Sequence, residues 1–150
     1  MLTDPFGTNA ITRRIIGCAI RVREVVGPGV YENVYSECMQ YELREEGLSF
    51  ETNRAVPIIY KGVRLRSKYY IDIAVEGIVI VELKVVAALA EIHKRQVLTQ
   101  LKLTDLPVGL LLNFNVVILR EGGIKRVVNP KYAKQVSLEE IGGLAHPLPR

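Results

Sequence analysis

Ile71-Asp72-Ile73-Ala74-Val75-Glu76-Gly77-Ile78-Val79-Ile80-Val81-Glu82-Leu83-Lys84 is the stretch on which the fold turns. Two runs of Val and Ile flank a Glu-Gly turn, the pattern of a β-hairpin. Asp72 interrupts the first run, and Glu82 and Lys84 interrupt the second, where burial of an unpaired charge is costly. Two carboxylates and a lysine on neighbouring strands form a group able to hold a hard divalent cation and steer a water molecule. A buried salt bridge of Asp72 with Lys84, with Glu82 as third partner, would use the same residues for structure alone.

Strand parity puts Glu82 and Lys84 on one face. Asp72 joins them only if it stands opposite Glu82. That pairing also sets Val75 opposite Val79 and leaves a three-residue loop, Glu76-Gly77-Ile78. A two-residue Glu76-Gly77 loop would instead pair Asp72 with Val81. The reading therefore predicts an odd loop or a bulge, with Gly77 left-handed.

Working outward, the period before the hairpin is two from Leu48 to Tyr60. A turn at Lys61-Gly62 and a second strand from Arg64 to Val75 complete an antiparallel meander with Ile78 to Val85. The third strand is apolar on both faces and so is central. On the second strand, alternation puts Arg64, Arg66, Lys68, Tyr70 and Asp72 on one face, a basic row leading to the first acid; an exposed edge stripe has the same pattern. Ahead of the meander, Thr8 or Asn9 caps a helix to about Val26, with Ile11, Ile15, Ile16, Ala19, Ile20 and Val22 as its apolar stripe. After Gly27-Pro28-Gly29, a second helix runs from about Pro28 to Arg44, with Glu32 in its first turn. Beyond the meander, Ala87 to Leu103 reads as a third helix and Val108 to Phe114 as a buried strand returning after a crossover. Val116 to Leu119 and Ile124 to Val128 read as a last hairpin around Glu121-Gly122-Gly123. Past Asn129-Pro130 the pattern weakens to a tail, with one helical turn expected at Ser137 to Glu140.

The order is that of an α+β domain with a mixed sheet. At 150 residues and 49% hydrophobic content, one domain over 1–150 is expected, its core at about 9–128 and its tail at 129–150. A net charge of +4 tolerates an anionic partner such as nucleic acid without requiring one. Cys18 and Cys38 fall in helical apolar patterns, no stretch reads as a membrane span, and reduced thiols in a cytoplasmic protein are expected.

Asp72, nine intervening residues and Glu82-Leu83-Lys84 on consecutive strands, with a glutamate on a preceding helix and a glutamine on the following one, resemble the PD-(D/E)XK nuclease superfamily. Gly29, Glu32 and Tyr35, within Gly27-Pro28-Gly29-Val30-Tyr31-Glu32-Asn33-Val34-Tyr35, match the Gly-x-x-Glu-x-x-Tyr pattern that names the GxxExxY proteins. The likeness extends through His93 to Gln96 and Gly109 to Phe114. It implies a restriction-endonuclease-like core, Mg²⁺ (or Mn²⁺) bound by Asp72 and Glu82, a water oriented or activated by Lys84, and auxiliary roles for Glu32 and Gln96. The superfamily's proline ahead of the first acid is absent here, where Tyr70-Ile71 precede Asp72. Arg23 stands where the family frequently has histidine, and Gln100 where it has tyrosine, so roles at those positions do not transfer.

Between Gln96 and Gln100, one turn apart on the third helix, the reading favours Gln96. Arg64, Arg66, Lys68 and His93, with the arginines of the first helix, are candidate phosphate contacts; a solvated helix face accounts equally for the arginines and for His93. The function expected is Mg²⁺-dependent hydrolysis of phosphodiester bonds in DNA or RNA by a homodimer. The alternative is a catalytically inactive nuclease-like module that binds nucleic acid or protein.

Overall fold

The computed structural model describes Asp4 and residues 6–136. Helices α1 (Thr8–Val26) and α2 (Glu32–Glu45) precede strands β1 (Phe50–Tyr60), β2 (Val63–Val75) and β3 (Val79–Lys84). Helix α3 (Glu91–Thr104), strands β4 (Val108–Asn113) and β5 (Ile124–Val128) and a 3-10 turn at Pro130–Tyr132 follow. The strands form one mixed sheet in the order β1-β2-β3-β4-β5, antiparallel except for the parallel pair β3-β4 that the α3 crossover permits. This is the α+β arrangement with a mixed sheet expected from the order of elements, and it agrees with the restriction-endonuclease-like core that the resemblance implies.

Two apolar layers hold the sheet. On one face Ile15, Ala19, Tyr35, Met39 and Leu43 from α1 and α2 pack on Ile73, Val75, Val79, Val81 and Leu83. On the other, Val97 and Leu101 of α3 pack on Val56, Ile71, Ala74, Ile80 and Leu111. Each fully buried aliphatic side chain contributes about 1.5–3 kcal/mol, so β3, buried on both faces, is anchored more firmly than any exposed strand.

Several boundaries differ from the sequence expectation, each for a local reason. The N-cap position of α1 is Gly7, and the first turn is tied down by Asp4, whose carboxylate accepts from the Asn9 N–H at 2.7 Å and the Thr8 hydroxyl at 2.8 Å; neither Thr8 nor Asn9 caps it. Helix α2 begins at Glu32, not Pro28, because Gly27 and Gly29 are left-handed at φ 76° and 87° and cannot continue a helix. Helix α3 begins at Glu91, not Ala87. The buried Asn113 amide clamps Val86, accepting from its N–H at 3.1 Å and donating to its C=O at 2.9 Å, which holds the preceding segment out of helix. Val116 to Leu119 is not a strand: Gly123 N–H bonds the Leu119 carbonyl, the segment is coiled into turns, and Arg23 donates to the Val116 carbonyl. Strand β5 pairs with β4 instead. Residues 129–136 carry structure that the pattern does not signal: Asn129 Nδ2 donates to the Leu101 and Leu106 carbonyls, and Tyr132 packs edge-on against Phe6. The helical turn expected at Ser137 to Glu140 lies outside the described residues.

The basic row on β2 is also less regular than expected. Pairing passes from Pro57↔Lys68 to Ile59↔Arg64, so β2 carries extra residues opposite Ile58. Lys68 and Arg64 keep one face through their partners, whereas Arg66 sits in the bulge and is not fixed in that row.

Candidate active site

The loop between β2 and β3 has the odd length that the site requires. The register is Ile73↔Val81, Ala74↔Ile80 and Val75↔Val79, leaving Glu76-Gly77-Ile78 as the loop, with Glu76 at φ 54° and Gly77 at φ 63°. Extended by one pair, this register sets Asp72 opposite Glu82.

The ladder stops just there. Strand β2 continues with β1 away from the body, while β3 continues with β4 through Lys84↔Asn113. The strands fork at Asp72, whose Oδ2 accepts the Leu83 N–H at 2.8 Å in place of a strand carbonyl. Side-chain alternation breaks at the same place. Ile73 and Val75 belong to the α1-α2 layer, but Ile71, two residues before Ile73, belongs to the α3 layer. Opposite Asp72 in the register stands Asn53, at φ 51°, a left-handed residue in mid-strand. Asp72 thereby lines a cleft of about 510 Å³ beside Leu83, Asn53 and the α2 residues Glu32, Ser36 and Gln40.

Glu82 reaches the same fork from β3. It is 8% exposed and within hydrogen-bonding reach of both the Asp72 carboxyl and the Gln100 side chain on α3. Burial, reinforced by the Asp72 charge, pushes Glu82 up to about 8, with Lys84 and Gln100 pulling the other way. Glu32 at the cleft mouth is also raised, first by burial and then by Asp72, and is opposed by Lys84. These mutual effects put Asp72, Glu82, Lys84 and Glu32 in one electrostatic unit. Lys84 belongs to none of the close ion pairs among the described residues, which separates this arrangement from a simple Asp72-Lys84 salt bridge.

The Gly-x-x-Glu-x-x-Tyr segment has a mechanical reading. Tyr35 is fully buried, stacks on Phe114 with centroids 4.5 Å apart, and donates its hydroxyl to the Gly27 carbonyl at 2.6 Å. That bond closes the glycine turn and fixes the start of α2, the turn that carries Glu32.

The profile of the PD-(D/E)XK nuclease superfamily matches residues 9–127. The chain belongs to the PD-(D/E)XK nuclease superfamily. No curated protein and no solved structure gives a match. Nucleases of this superfamily generally use divalent metal ions. Among the described residues no group of three or more His, Cys, Asp or Glu is arranged to hold a metal. The donor set is smaller: the two carboxylates Asp72 and Glu82. Glu82 Oε2 and Gln100 Oε1 are buried acceptors with no hydrogen-bond donor. Electron-rich oxygens left unsatisfied in a carboxylate pair are what a cation answers, so this superfamily site fits a divalent ion with water completing its shell.

Other expected residues fall as follows. The glutamine at Glu82 is Gln100, 4% exposed. Gln96, favoured from spacing, lies half-buried one turn nearer the N-terminus of α3. His93 Nδ1 accepts the Ala90 N–H at 2.9 Å and so caps α3. On α1, Arg21 pairs with Glu42 and Glu46, and Arg14 with Glu46, tying α1 to α2 instead of standing free for phosphates. Asn53 and Asn113 were not singled out from sequence. Asn113 had a signal, a lone amide ending the apolar run Val108 to Leu112; Asn53 had none.

Proposed function

We propose that this chain is a divalent-metal-dependent nuclease of the GxxExxY type, hydrolysing phosphodiester bonds of DNA or RNA in the cytoplasm with Mg²⁺ or Mn²⁺. The observation that carries the reading is the fork. A buried carboxyl, Glu82, meets a second one, Asp72, at the end of a ladder, with Lys84 two residues on and an acceptor oxygen left without a donor. Such burial is unfavourable unless a ligand offsets it.

Asp72 and Glu82 would hold the metal, which when bound supplies positive charge to offset that developing on the phosphoryl oxygens. The chain's own residues do the rest. Lys84 orients the attacking water or takes its proton, and as a cation it stabilises the phosphoryl oxygens. Glu32 accepts a hydrogen bond from a water in the cleft, and Gln100 and Gln96 hold the carboxylate and water from α3. The water oxygen bonds to phosphorus as its proton passes to Lys84 or to solvent, the bond from phosphorus to the leaving oxygen breaks, and that oxygen takes up a proton from solvent water, so no net proton is lost. Cleavage of both strands of a duplex needs two such sites, so the reading includes a homodimer, checked by light scattering at micromolar concentration.

The test is a titration of Mg²⁺ and Mn²⁺ against mixed DNA and RNA substrates, comparing wild type with Asp72→Asn and Lys84→Ala. Metal-dependent cleavage lost in both variants supports the reading. Binding without cleavage at any metal concentration replaces it with the inactive binding module.

A further inference from the structure

Beyond the fork, β1 and β2 leave the body as a two-stranded arm. From Arg54 to Tyr70 nearly every residue is exposed, and only Val56 and Tyr69 lean on the α3 layer. The arm is cationic. Residues 52–71 hold Arg54, Lys61, Arg64, Arg66 and Lys68 and no acid. Arg54 pairs with Glu51 at the root of the arm, 4.0 Å away. That leaves Lys61, Arg64, Arg66 and Lys68 nearer the tip in none of the close ion pairs among the described residues, a concentration of positive charge that attracts an anion.

Register fixes the face that is offered. Ala55, Pro57 and Ile59 of β1 stand opposite Tyr70, Lys68 and Arg64 of β2, on the side away from α3. That side is open, with Ile59 56% and Tyr70 57% exposed. The tip adds Tyr60 and Val63, 59% and 61% exposed, with the Lys61 ammonium over the Tyr60 ring at 5.6 Å from its centroid.

We infer that the β1-β2 arm is a nucleic-acid-binding ribbon that lies in the major groove of B-form DNA and delivers the duplex to Asp72 at its root. The inference rests on the nuclease reading and narrows its substrate to double-stranded DNA. A two-stranded ribbon fits the B-DNA major groove, about 12 Å wide. Seven residues of arm reach roughly 23 Å at about 3.3 Å per residue, far enough to follow the groove. The major groove of A-form RNA is too deep and narrow for side chains to read. Lys68 and Arg64 on the open face, with Arg66 released by the bulge, meet phosphates, and Ile59, Tyr60 and Val63 meet base edges and thymine methyls.

The experiment measures binding by fluorescence anisotropy in Ca²⁺ or chelator, with duplex DNA, duplex RNA and single-stranded DNA of equal length. Wild type is compared with the exposed triple variant Arg64→Ser, Arg66→Ser, Lys68→Ser. Wild type is expected to prefer duplex DNA, and the variant to lose at least tenfold in affinity while keeping its melting temperature. Its slope of log K against log salt should be shallower by about 2.7, the counterions of three phosphate contacts. Equal or tighter binding of RNA or single strands, or unchanged affinity in the variant, overturns the inference. Arm-dependent duplex binding without metal-dependent cleavage would remove the nuclease reading and leave the arm. Cleavage indifferent to the arm variant would do the reverse.

Discussion

Asp72 Oδ2 accepts the backbone N–H of Leu83 at 2.8 Å, at the point where β2 and β3 part. The bond gives Asp72 two duties, one to the backbone of β3 and one to whatever occupies the fork. Asp72→Asn keeps an acceptor for Leu83 and removes the charge, whereas Asp72→Ala strips both. Cleavage should fall at least a hundredfold in each. Chemical denaturation should separate them, Asp72→Ala losing about 1–3 kcal/mol for the stranded N–H and Asp72→Asn much less. Equal activity in wild type and Asp72→Asn would remove Asp72 from the site.

Glu82 sets a pH dependence with a definite sign. Its folded value of about 8 lies above that of an unfolded glutamate, near 4.3. The metal-free folded protein therefore keeps a proton that the unfolded chain releases first. The stability this contributes is full below about pH 4.3 and is lost as pH rises through 8, at no more than about 1.4 kcal/mol per pH unit. Glu32, also raised, acts in the same direction. Melting temperature in chelator should fall between pH 5 and 8, and Glu82→Gln should flatten that fall. Mg²⁺ competes with the proton, so its stabilising effect should grow from pH 6 to pH 8. A metal effect independent of pH would argue that Glu82 is not a ligand.

Tyr35 tests the motif as a mechanical device. Tyr35→Phe keeps the stack on Phe114 and loses only the bond to the Gly27 carbonyl. The expected cost is about 1 kcal/mol in urea denaturation. A several-fold loss of kcat should accompany it, because the turn that presents Glu32 is released. Tyr35→Phe combined with Glu32→Gln should lose no more kcat than Glu32→Gln alone if Tyr35 acts through Glu32.

These residues differ in how far the sequence disclosed them. Parity was enough to put Glu82 and Lys84 on one face, but Asp72 stands opposite Glu82 only with an odd loop or a bulge, and it is the observed Val75↔Val79 register that supplies the odd loop. The central position of β3 followed from its apolar character on both faces. Other features depended on tertiary contacts that no local pattern encodes. The left-handed Asn53, which coincides with the break in alternation at Asp72, lies in a stretch that reads as plain alternating strand. The choice between Gln96 and Gln100 depended on the depth at which α3 lies on the sheet, and spacing alone fixes only the helix face. The late start of α3 came from a side chain distant in sequence, Asn113 on Val86, that holds the preceding segment out of helix, whereas the late start of α2 came from the left-handed Gly27 and Gly29, whose turn the Tyr35 hydroxyl closes.

The packing of α3 on the sheet is closest at a glycine. A Cβ at Gly109 on β4 would collide with Val97 Cγ1 and touch Leu101 Cδ1, so α3 takes up at this point the space that a side chain would fill. Gln100 stands between those two residues and reaches Glu82 from that height. Gly109→Ala should push α3 outward at a cost of about 1–3 kcal/mol and draw Gln100 away from the carboxyl. Losing that hydrogen bond leaves the Glu82 charge less supported, so the pH at which metal binds should shift upward. Gln100→Leu, which keeps the helix packed, should give the same upward shift with little loss of stability. Calorimetric Mg²⁺ titrations of both variants from pH 6 to 9 check this. A shift in Gly109→Ala without one in Gln100→Leu would show that the helix affects Glu82 by burial and not through the glutamine.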